Sequence, residues 1–422
     1  MDGHGWRFWI DRGGTFTDVV AQRPDGSIVP TKLLSESPRY QDAAVEAIRS
    51  LLGVSPGEPI PSDQVAEVKM GTTVATNALL ERQGEPTVLV TTTGFADALR
   101  IGYQTRPDLF ALDIVLPDMV YSQVITVSER VRADGTVEHP LDEDDARRQL
   151  AAAHRDGMRS AAIVLLHGYR YPEHEARLVE IAAEVGFKHI SASHRVNPLI
   201  RIVPRGDTTV ADAYLTPVLH RHIQTVQDQL DTSLLFMQSN GGLAHPDRFR
   251  GKDALLSGPA GGVVGMARTG EAAGHNRLIG FDMGGTSTDV SHYDSRFERT
   301  TDAVVAGVRV RAPMIWIHTV AAGGGSILSF DGSRFRVGPD SAGAEPGPAC
   351  YGNGGPITVT DANVILGRLH PDHFPAVFGP DGDQPLDTAA AQTAFVDLAS
   401  AIADATGQPW TSERAAEGFL DV

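Results

Sequence analysis

The chain has one cysteine and no long apolar stretch, and these two absences narrow what it can be. Cys350 is the single cysteine among 422 residues, so no intramolecular disulfide can form, which is typical of a reducing cytosol. No run approaches the roughly 18 apolar residues that a membrane-spanning helix needs. Residues 1–10 lack the pattern of a signal peptide. We therefore expect a cytoplasmic protein with no membrane partner.

Positive charge is also scarce. The chain carries 36 Lys and Arg against 53 Asp and Glu, which gives a formal net charge of -17. This surplus of negative charge argues against nucleic acid as a partner. A phosphate-bearing ligand would have to be held by backbone amides, a metal ion and a few basic side chains.

Glycine is plentiful, and one glycine-containing phrase occurs twice. Residues 11–18 read DRGGTFTD and residues 282–289 read DMGGTSTD, with six of eight positions identical. Each copy follows an apolar run typical of a strand. Glycines permit a tight turn close to a ligand, successive amides form an anion nest, and aspartates can hold Mg²⁺. A single copy is equally well an ordinary hairpin turn, but the repetition favours a pair of phosphate-binding turns.

The rest of the chain alternates between helical and strand patterns, which predicts an α/β fold. Helices are expected over 40–53, 142–158, 173–185, 388–406 and 412–419. Residues 101–140 read as irregular, and the glycine-rich segments between 240 and 355 read as turns or a ligand wall. The repeat suggests two related halves, 1–200 and 201–422, each contributing one turn to a central cleft.

Further blocks, in order between residues 8 and 369, resemble the N-methylhydantoinase A/5-oxoprolinase family, which includes the acetone carboxylase β subunits. They are GTTVATNA at 71–78, RIGYQTRP at 100–107, the segments 237–243, 257–262 and 321–327, and GPDSAGAEPGPACYG at 338–352 followed by TDAN at 360–363. The resemblance implies a two-lobed ATPase fold of the actin, Hsp70 and sugar-kinase type, which is ribonuclease H-like.

The resemblance also implies an activity. The family opens a cyclic amide, such as a hydantoin, 5-oxoproline or a related lactam, by phosphorylating the amide oxygen with ATP and Mg²⁺. A hydantoinase B-type partner subunit and an oligomeric assembly are expected. One alternative is the ATP-using subunit of an acetone- or acetophenone-type carboxylase, and a simple hydroxyl kinase is another. Family members continue beyond Val422, so a truncated nucleotide-binding domain, inactive alone, is a further alternative.

The repeated phrase supplies the candidate catalytic and cofactor residues. Asp11 and Asp282 are expected to act at the metal and in catalysis. Asp18 and Asp289 are expected to cap their own turns. Arg12 stands where the family has a small or apolar residue, and it either contacts phosphate or substrate or points outward. The expected phosphate-contacting residues are Gly13, Gly14, Thr15, Thr17, Gly284, Gly285, Thr286, Ser287, Gly324 and Gly325.

The candidate substrate residues are Asn77, Arg106, Asn240 and His318. Three of them have a plainer alternative: a buried structural amide for Asn77, a surface ion pair for Arg106 and a turn role for Asn240. Cys350 reads as a small buried residue rather than a nucleophile. The spacing of His167, His174 and Glu175 is only loosely metal-like, and we do not favour a metal site there.

Overall fold

The computed structural model describes residues 5–14, 16–37, 39–55, 57–105 and 110–422, so the predicted site residues Thr15 and Arg106 lie outside the described residues. The strands are β1 (Trp6–Arg12), β2 (Phe16–Gln22), β3 (Ile28–Leu34), β4 (Val65–Thr72), β5 (Thr87–Thr92), β6 (Gln123–Val127), β7 (Arg130–Val131), β8 (Val137–His139), β9 (Ser160–Val164), β10 (His189–Ala192), β11 (Leu234–Met237), β12 (Leu243–Ala244), β13 (Arg277–Met283), β14 (Thr288–Asp294), β15 (Arg299–Val305), β16 (Val308–Ile315), β17 (Ile317–Val320), β18 (Ser326–Phe330) and β19 (Phe335–Ser341). The helices are α1 (Ala43–Leu52), α2 (Val74–Leu80), α3 (Ala98–Ile101), α4 (Glu143–Arg155), α5 (Glu173–Val185), α6 (Ser193–Val196), α7 (Ile202–Gln227), α8 (Gly251–Ala254), α9 (Ser257–Ala272), α10 (Val359–Ile365), α11 (Thr388–Thr406) and α12 (Ser412–Leu420).

The predicted α/β class is confirmed, and local signals explain where several helices begin and end. The Asp42 side chain accepts hydrogen bonds from the backbone of Ala44 and Val45 and so caps α1. Gly53 ends the same helix in the left-handed conformation, with φ of 68°. The predicted helices at 173–185 and 388–406 coincide with α5 and α11.

Two stretches differ from their predictions. Residues 101–140 were expected to be irregular, yet β6 lies there and pairs in parallel with β5, a partner distant in sequence. The glycine-rich segment starting at Ser257 was expected to form turns or a ligand wall, and it forms helix α9. Its small residues allow close packing on β13, since a Cβ on Gly270 would lie only 2.3 Å from the Leu278 side chain. Packing therefore overrides the weak helix propensity of glycine.

The chain divides into two compact units, each discontinuous in sequence. The first unit comprises Met1–Val68, Gly261–Glu298 and Trp316–Val422, and the second comprises Lys69–Ala260 and Arg299–Ile315. Both copies of the repeated phrase lie in the first unit, whereas we expected one copy from each half. The division of the chain into domains 1–200 and 201–422 stays a prediction.

The first unit contains the antiparallel strands β1, β2 and β3, the sheet β13-β14-β17, and the helices α10 to α12 around Phe395 and Phe419. Helix α9 covers one face of β13, where a Cβ on Gly280 would lie 2.7 Å from the Met266 sulfur. The opposite face of β13 is open, and Ile279 and Phe281 are 78% and 72% exposed there. The two copies of the repeat thus lie on separate sheets.

The second unit is built on a parallel sheet with the strand order β10-β9-β5-β6. Helices α4 and α5 contribute Leu150, Leu178 and Ile181 to the core beneath it. Helix α7 is largely buried, and its Arg205 lies 3.7 Å from Glu175 in a wholly buried ion pair. Among the described residues, no helix combines the length and apolar character needed to cross a bilayer.

Candidate functional site

The two copies of the repeated phrase fold into the same hairpin. In the first, Asp11 of β1 pairs with Asp18 of β2, and the Gly13 N–H donates to the Phe16 carbonyl at 3.0 Å. In the second, Asp282 of β13 pairs with Asp289 of β14, and the Gly284 N–H donates to the Ser287 carbonyl at 2.9 Å. Equal registers and equal closing bonds make the two turns structural equivalents.

The threonine at the seventh position of each phrase turns inward and supports its turn. The Thr17 hydroxyl is fully buried and lies 3.0 Å from the Ser35 hydroxyl, which donates to the Gly13 carbonyl at 2.7 Å. The Thr288 hydroxyl donates to the Ala322 carbonyl at 2.7 Å. Thr17 was predicted to contact phosphate, but in this structure its hydroxyl is engaged in holding the turn.

A glycine loop, residues 322–326, braces the second turn through main-chain contacts. The Gly324 N–H donates to the Gly284 carbonyl at 2.9 Å, and the Gly325 N–H donates to the Gly285 carbonyl at 2.6 Å. A Cβ on Gly323 would lie 2.7 Å from the Gly284 carbonyl oxygen, so only glycine fits. The amides of Gly324 and Gly325 are thus engaged with the turn, and the phosphate contacts expected for these two residues stay a prediction.

The outer part of the second turn has amides to offer an anion. Gly285 and Thr286 are exposed, and their N–H groups donate to no described residue. Ser287 beside them is half-buried, and Gly14 of the first turn is exposed. Exposed amides at a glycine turn are the donors that an anion nest requires.

Asp11 and Asp282, the two predicted catalytic acids, lie close enough to interact. Burial raises the pKa of Asp11 above its ordinary value, and the negative charges of Asp18 and Asp282 raise it further, while Lys32 opposes them. The side chain retains access to solvent. A carboxylate crowded by like charges in this way favours the approach of a cation.

Asp18 and Asp289 do not cap their own turns, which corrects the prediction. Asp18 lies opposite Lys32 in register and accepts a hydrogen bond from its Nζ at 2.7 Å. Asp289 lies opposite Thr319 and accepts from its hydroxyl at 2.6 Å. Burial raises the pKa of Asp289, with Thr319 opposing and Asp282 adding to the rise. Both acids contact a residue on the neighbouring strand because directly opposite side chains of an antiparallel pair lie close together.

The acid pair fits a magnesium ion that is shared with a phosphate ligand. Among the described residues, no group of three or more His, Cys, Asp or Glu side chains could hold a metal on its own. Mg²⁺ is commonly held by one or two carboxylates, with phosphate oxygens and water completing the shell. Asp11 and Asp282 could supply those carboxylates.

The Arg12 side chain does not point outward, which was one of its two alternatives, and its contact with phosphate or substrate stays a prediction. Its Nε lies 3.9 Å from an Asp42 carboxylate oxygen, and the side chain is 14% exposed. The guanidinium is therefore turned toward the start of α1, away from the outer edge of its turn.

The described substrate candidates differ in their local surroundings. Asn240 forms a turn, since its Oδ1 accepts from the Gly242 N–H at 2.7 Å, and Asn77 is half-buried on α2. His318 is exposed on β17 directly before Thr319. Since successive strand side chains alternate in direction, His318 and Thr319 emerge on opposite faces. The roles of these residues stay predictions.

The plain interpretation of Cys350 is supported. Its side chain is fully buried, and its N–H donates to Asp361 at 2.8 Å. Burial and the neighbouring Asp361 raise the pKa of the Cys350 thiol, which disfavours the reactive thiolate. His174 bonds to Glu129 at 2.9 Å, and no metal cluster forms around it among the described residues.

Sequence reasoning did not find Ser35, Lys32 or Thr319 as parts of this site. Ser35 is 22 residues from the Gly13 carbonyl that it contacts, and Thr319 is 30 residues from Asp289. Only the pairing of strands brings them together. No local pattern in the sequence could have indicated them.

Comparison with known proteins places the chain among related sequences. A sequence model described as hydantoinase/oxoprolinase matches residues 205–422, and one described as hydantoinase/oxoprolinase N-terminal region matches residues 7–186. The chain is 46% identical to 5-oxoprolinase 1 of Arabidopsis thaliana over 99% of its own length and 36% of that protein. It thus spans about a third of that relative.

Two solved structures are similar. The nucleotide-free structure of acetone carboxylase matches with a TM-score of 0.78 and 26% identity, over 98% of this chain and 61% of that one. The ATP-dependent caprolactamase from Pseudomonas jessenii matches with a TM-score of 0.74 and 33% identity, again over 98% and 61%.

Proposed function

Because the chain belongs to the hydantoinase/oxoprolinase family, we propose that it carries the ATP-using site of an enzyme that opens a cyclic amide. Two similar proteins are named for lactams, 5-oxoproline and caprolactam, and the second is named as ATP-dependent. The observation that carries the proposal is the pair of equivalent Gly-Gly-Thr hairpins in one unit, with Asp11 and Asp282 in electrostatic contact.

The proposed fold is that of the two-lobed ATPases of the actin, Hsp70 and sugar-kinase type. Its support is the equivalence of the two hairpins, each an acid-led strand, a glycine turn and an antiparallel return strand. In this arrangement the turn at 284–287 offers the outward amides of Gly285 and Thr286 to phosphate oxygens.

The proposed chemistry activates an unreactive amide. The amide oxygen attacks the γ-phosphorus of ATP, a new O–P bond forms, and ADP leaves with the electrons of the broken P–O bond. Water then adds to the activated carbon, and the ring C–N bond breaks as the nitrogen takes up a proton, which leaves an acyl phosphate. A second water hydrolyses the acyl phosphate and releases phosphate and the ring-opened acid. The protein contributes positioning and charge stabilisation, as in other phosphoryl transfers.

In this scheme the acids and amides of the two turns have distinct tasks. Asp11 and Asp282 would hold Mg²⁺, which when bound neutralises phosphate charge. Lys32 tethers Asp18, and Thr319 tethers Asp289, so these second acids keep fixed positions beside the first pair. Ser35 and the glycine loop hold the turns themselves in shape.

The test is substrate-stimulated ADP release from the purified chain, with and without a hydantoinase B-type partner subunit, on a panel of 5-oxoproline, hydantoin, caprolactam, acetone and acetophenone. We expect a lactam or hydantoin to stimulate release, and we expect full turnover to need the partner. Absence of nucleotide binding and of stimulated release, under all of these conditions, would rule the proposal out.

The second candidate is the ATP-using subunit of a carboxylase for acetone or an aromatic ketone. The specific observation in its favour is the match to acetone carboxylase, whose TM-score of 0.78 exceeds the 0.74 of the caprolactamase. Ketone-stimulated ADP release that depends on bicarbonate would select this candidate over the lactam hydrolase.

A further inference from the structure

The second unit contains a cavity that the proposed phosphate site does not use. Its volume is about 220 Å³. At roughly 30 Å³ per water it has room for about seven waters, which suits a small metabolite rather than a nucleotide. The polar and ring side chains that line it are Tyr103, Pro204, Asp207, Asp302, Arg309 and Arg311.

Strand pairing places two arginines side by side on one wall. Arg309 of β16 lies opposite Val304 of β15, and Arg311 lies opposite Asp302. Because residues two apart on a strand share a face, both guanidinium groups project from the same face of this hairpin. The two arginines differ in how they are held.

Arg309 is fixed by the protein. Its Nε donates to the Asp207 carboxylate at 2.7 Å, and its Nη2 donates to the Leu99 carbonyl at 3.1 Å. Gly102, with φ of 55°, makes room for it, since a Cβ there would lie 2.6 Å from Nη1. The charge of Arg309 is therefore balanced by a buried acid before any ligand arrives.

Arg311 is held only loosely. Its Nε lies 3.5 Å from an Asp302 oxygen, and Asp302 is 67% exposed. The guanidinium donates no hydrogen bond to a described residue, so its planar set of five N–H donors is open to a ligand. The backbone of Arg311 is anchored separately, by Thr208 and Asn197. The side chain can thus be changed without disturbing the strand.

We propose that this cavity binds a small molecule with one carboxylate on a compact apolar body. The ligand carboxylate forms a bidentate ion pair with the guanidinium of Arg311 and displaces the exposed Asp302 carboxylate from it. Pro204 and Val304 provide the apolar contact. Asp207 and Asp302 balance the two arginines, so a doubly charged phosphate is disfavoured. The choice of probe, though not the site, rests on the proposed function: 5-oxoproline is a lactam that carries one carboxylate.

The test is calorimetric titration of the intact chain, without nucleotide, using 5-oxo-L-proline, its neutral analogue 2-pyrrolidinone, and inorganic phosphate. We expect 5-oxoproline to bind and 2-pyrrolidinone to bind at least about tenfold more weakly. Arg311→Gln should weaken 5-oxoproline about tenfold or more, whereas Asp302→Asn, which removes the competing acid, should strengthen it. Arg132→Gln is the matched control, since Arg132 pairs with Glu138 in an exposed ion pair of the same unit.

Equal binding of the two lactams would overturn the proposal, and so would unchanged binding by both Arg311→Gln and Asp302→Asn. Tighter binding of inorganic phosphate, or no binding of 5-oxoproline at millimolar concentration, would overturn it as well. The ADP-release assay is independent of these outcomes. If 5-oxoproline binds but no ATP turnover occurs, the proposed function is wrong and this site stands. If turnover occurs but the carboxylate does not affect binding, this site is wrong and the proposed function stands.

Discussion

The hairpin of β1 and β2 and the hairpin of β13 and β14 have the same main chain but different supports. The first is braced by a side chain, because the Ser35 hydroxyl donates to the Gly13 carbonyl. The second is braced by another main chain, because Gly324 and Gly325 donate to Gly284 and Gly285. The comparison teaches that a short phrase dictates the shape of its turn, whereas distant residues decide how that turn is held.

The second acid of each hairpin, Asp18 or Asp289, also has a different partner on the third strand of its sheet. Across β2 and β3, Asp18 meets the cation of Lys32, and across β14 and β17, Asp289 meets the neutral hydroxyl of Thr319. The first hairpin therefore carries its own counter-charge close to Asp11. The second offers its acids with no cation on the third strand of its sheet.

The largest expected effect tests whether both acids are needed. Asp11→Asn and Asp282→Asn should each lower substrate-stimulated ADP release by about 100-fold or more, because in the proposed mechanism each removes a charge that would face the metal and phosphates. Asp25→Asn, at the exposed turn between β2 and β3, is the control and should retain activity. Full activity in either variant would show that the two hairpins do not act as a pair.

The next effect tests the main-chain brace. Gly323→Ala should lower the free energy of unfolding by about 1–3 kcal/mol, since its Cβ would lie 2.7 Å from a backbone oxygen that cannot move aside. Gly265→Ala is the matched control, because a Cβ there meets nothing within 4 Å. As a helix-interior change it should stabilise the chain by about 0.5–1 kcal/mol. Denaturant unfolding measures both, and equal effects would contradict the packing described here.

The side-chain brace should be somewhat weaker. Ser35→Ala leaves the Gly13 carbonyl without its donor and should cost about 1–2 kcal/mol in unfolding experiments. Ser50→Ala, on the exposed side of α1, should be neutral or slightly stabilising by comparison. If the two substitutions have the same effect, Ser35 does not support the first turn.

A pH series sharpens the contrast between the acids. The pKa of Asp11 is raised in the folded chain, so folding holds its proton more tightly than the unfolded chain does. Without metal, ionisation of Asp11 therefore lowers the free energy of unfolding as the pH rises through its raised pKa. Below its ordinary pKa of 3.8 this destabilisation is absent. Asp11→Asn should be more stable than the parent at neutral pH, with a difference that shrinks in acid. Unfolding in a chelator at several pH values measures it, and a pH-independent difference would contradict it.

The smallest expected effect concerns Lys32, the third-strand partner of Asp18. Lys32→Thr gives the first hairpin the partner that the second one has, and it should cost under about 1 kcal/mol because the ion pair is exposed. The cost should shrink further at high salt, where exposed charges are screened. A large, salt-insensitive loss would mean that Lys32 does more than tether Asp18.

How much of this structure the sequence predicts depends on how far apart in the chain the interacting residues are. The existence of helix α1, the limits of α5 and the two glycine turns follow from residues close together in the chain, and their prediction succeeded. Helix α9 was missed because its glycines and its single proline indicate turns, and the contact of Gly270 with Leu278 shows why small residues suit a helix there. The cross-strand partners of the acids and the placement of both hairpins in one unit depend on pairings that no local pattern records.

The glycine loop over the second turn has a consequence for how this protein can vary. Gly324 and Gly325 meet the turn through their peptide groups, so no exchange of side chains at these positions can gradually reshape that contact. A saturation library across Gly323, Gly324 and Gly325 should return glycine almost without exception, while the neighbouring exposed positions tolerate many residues. Anyone who wishes to redirect this protein toward a new ligand will therefore have to leave the second turn as it is and vary the walls around it.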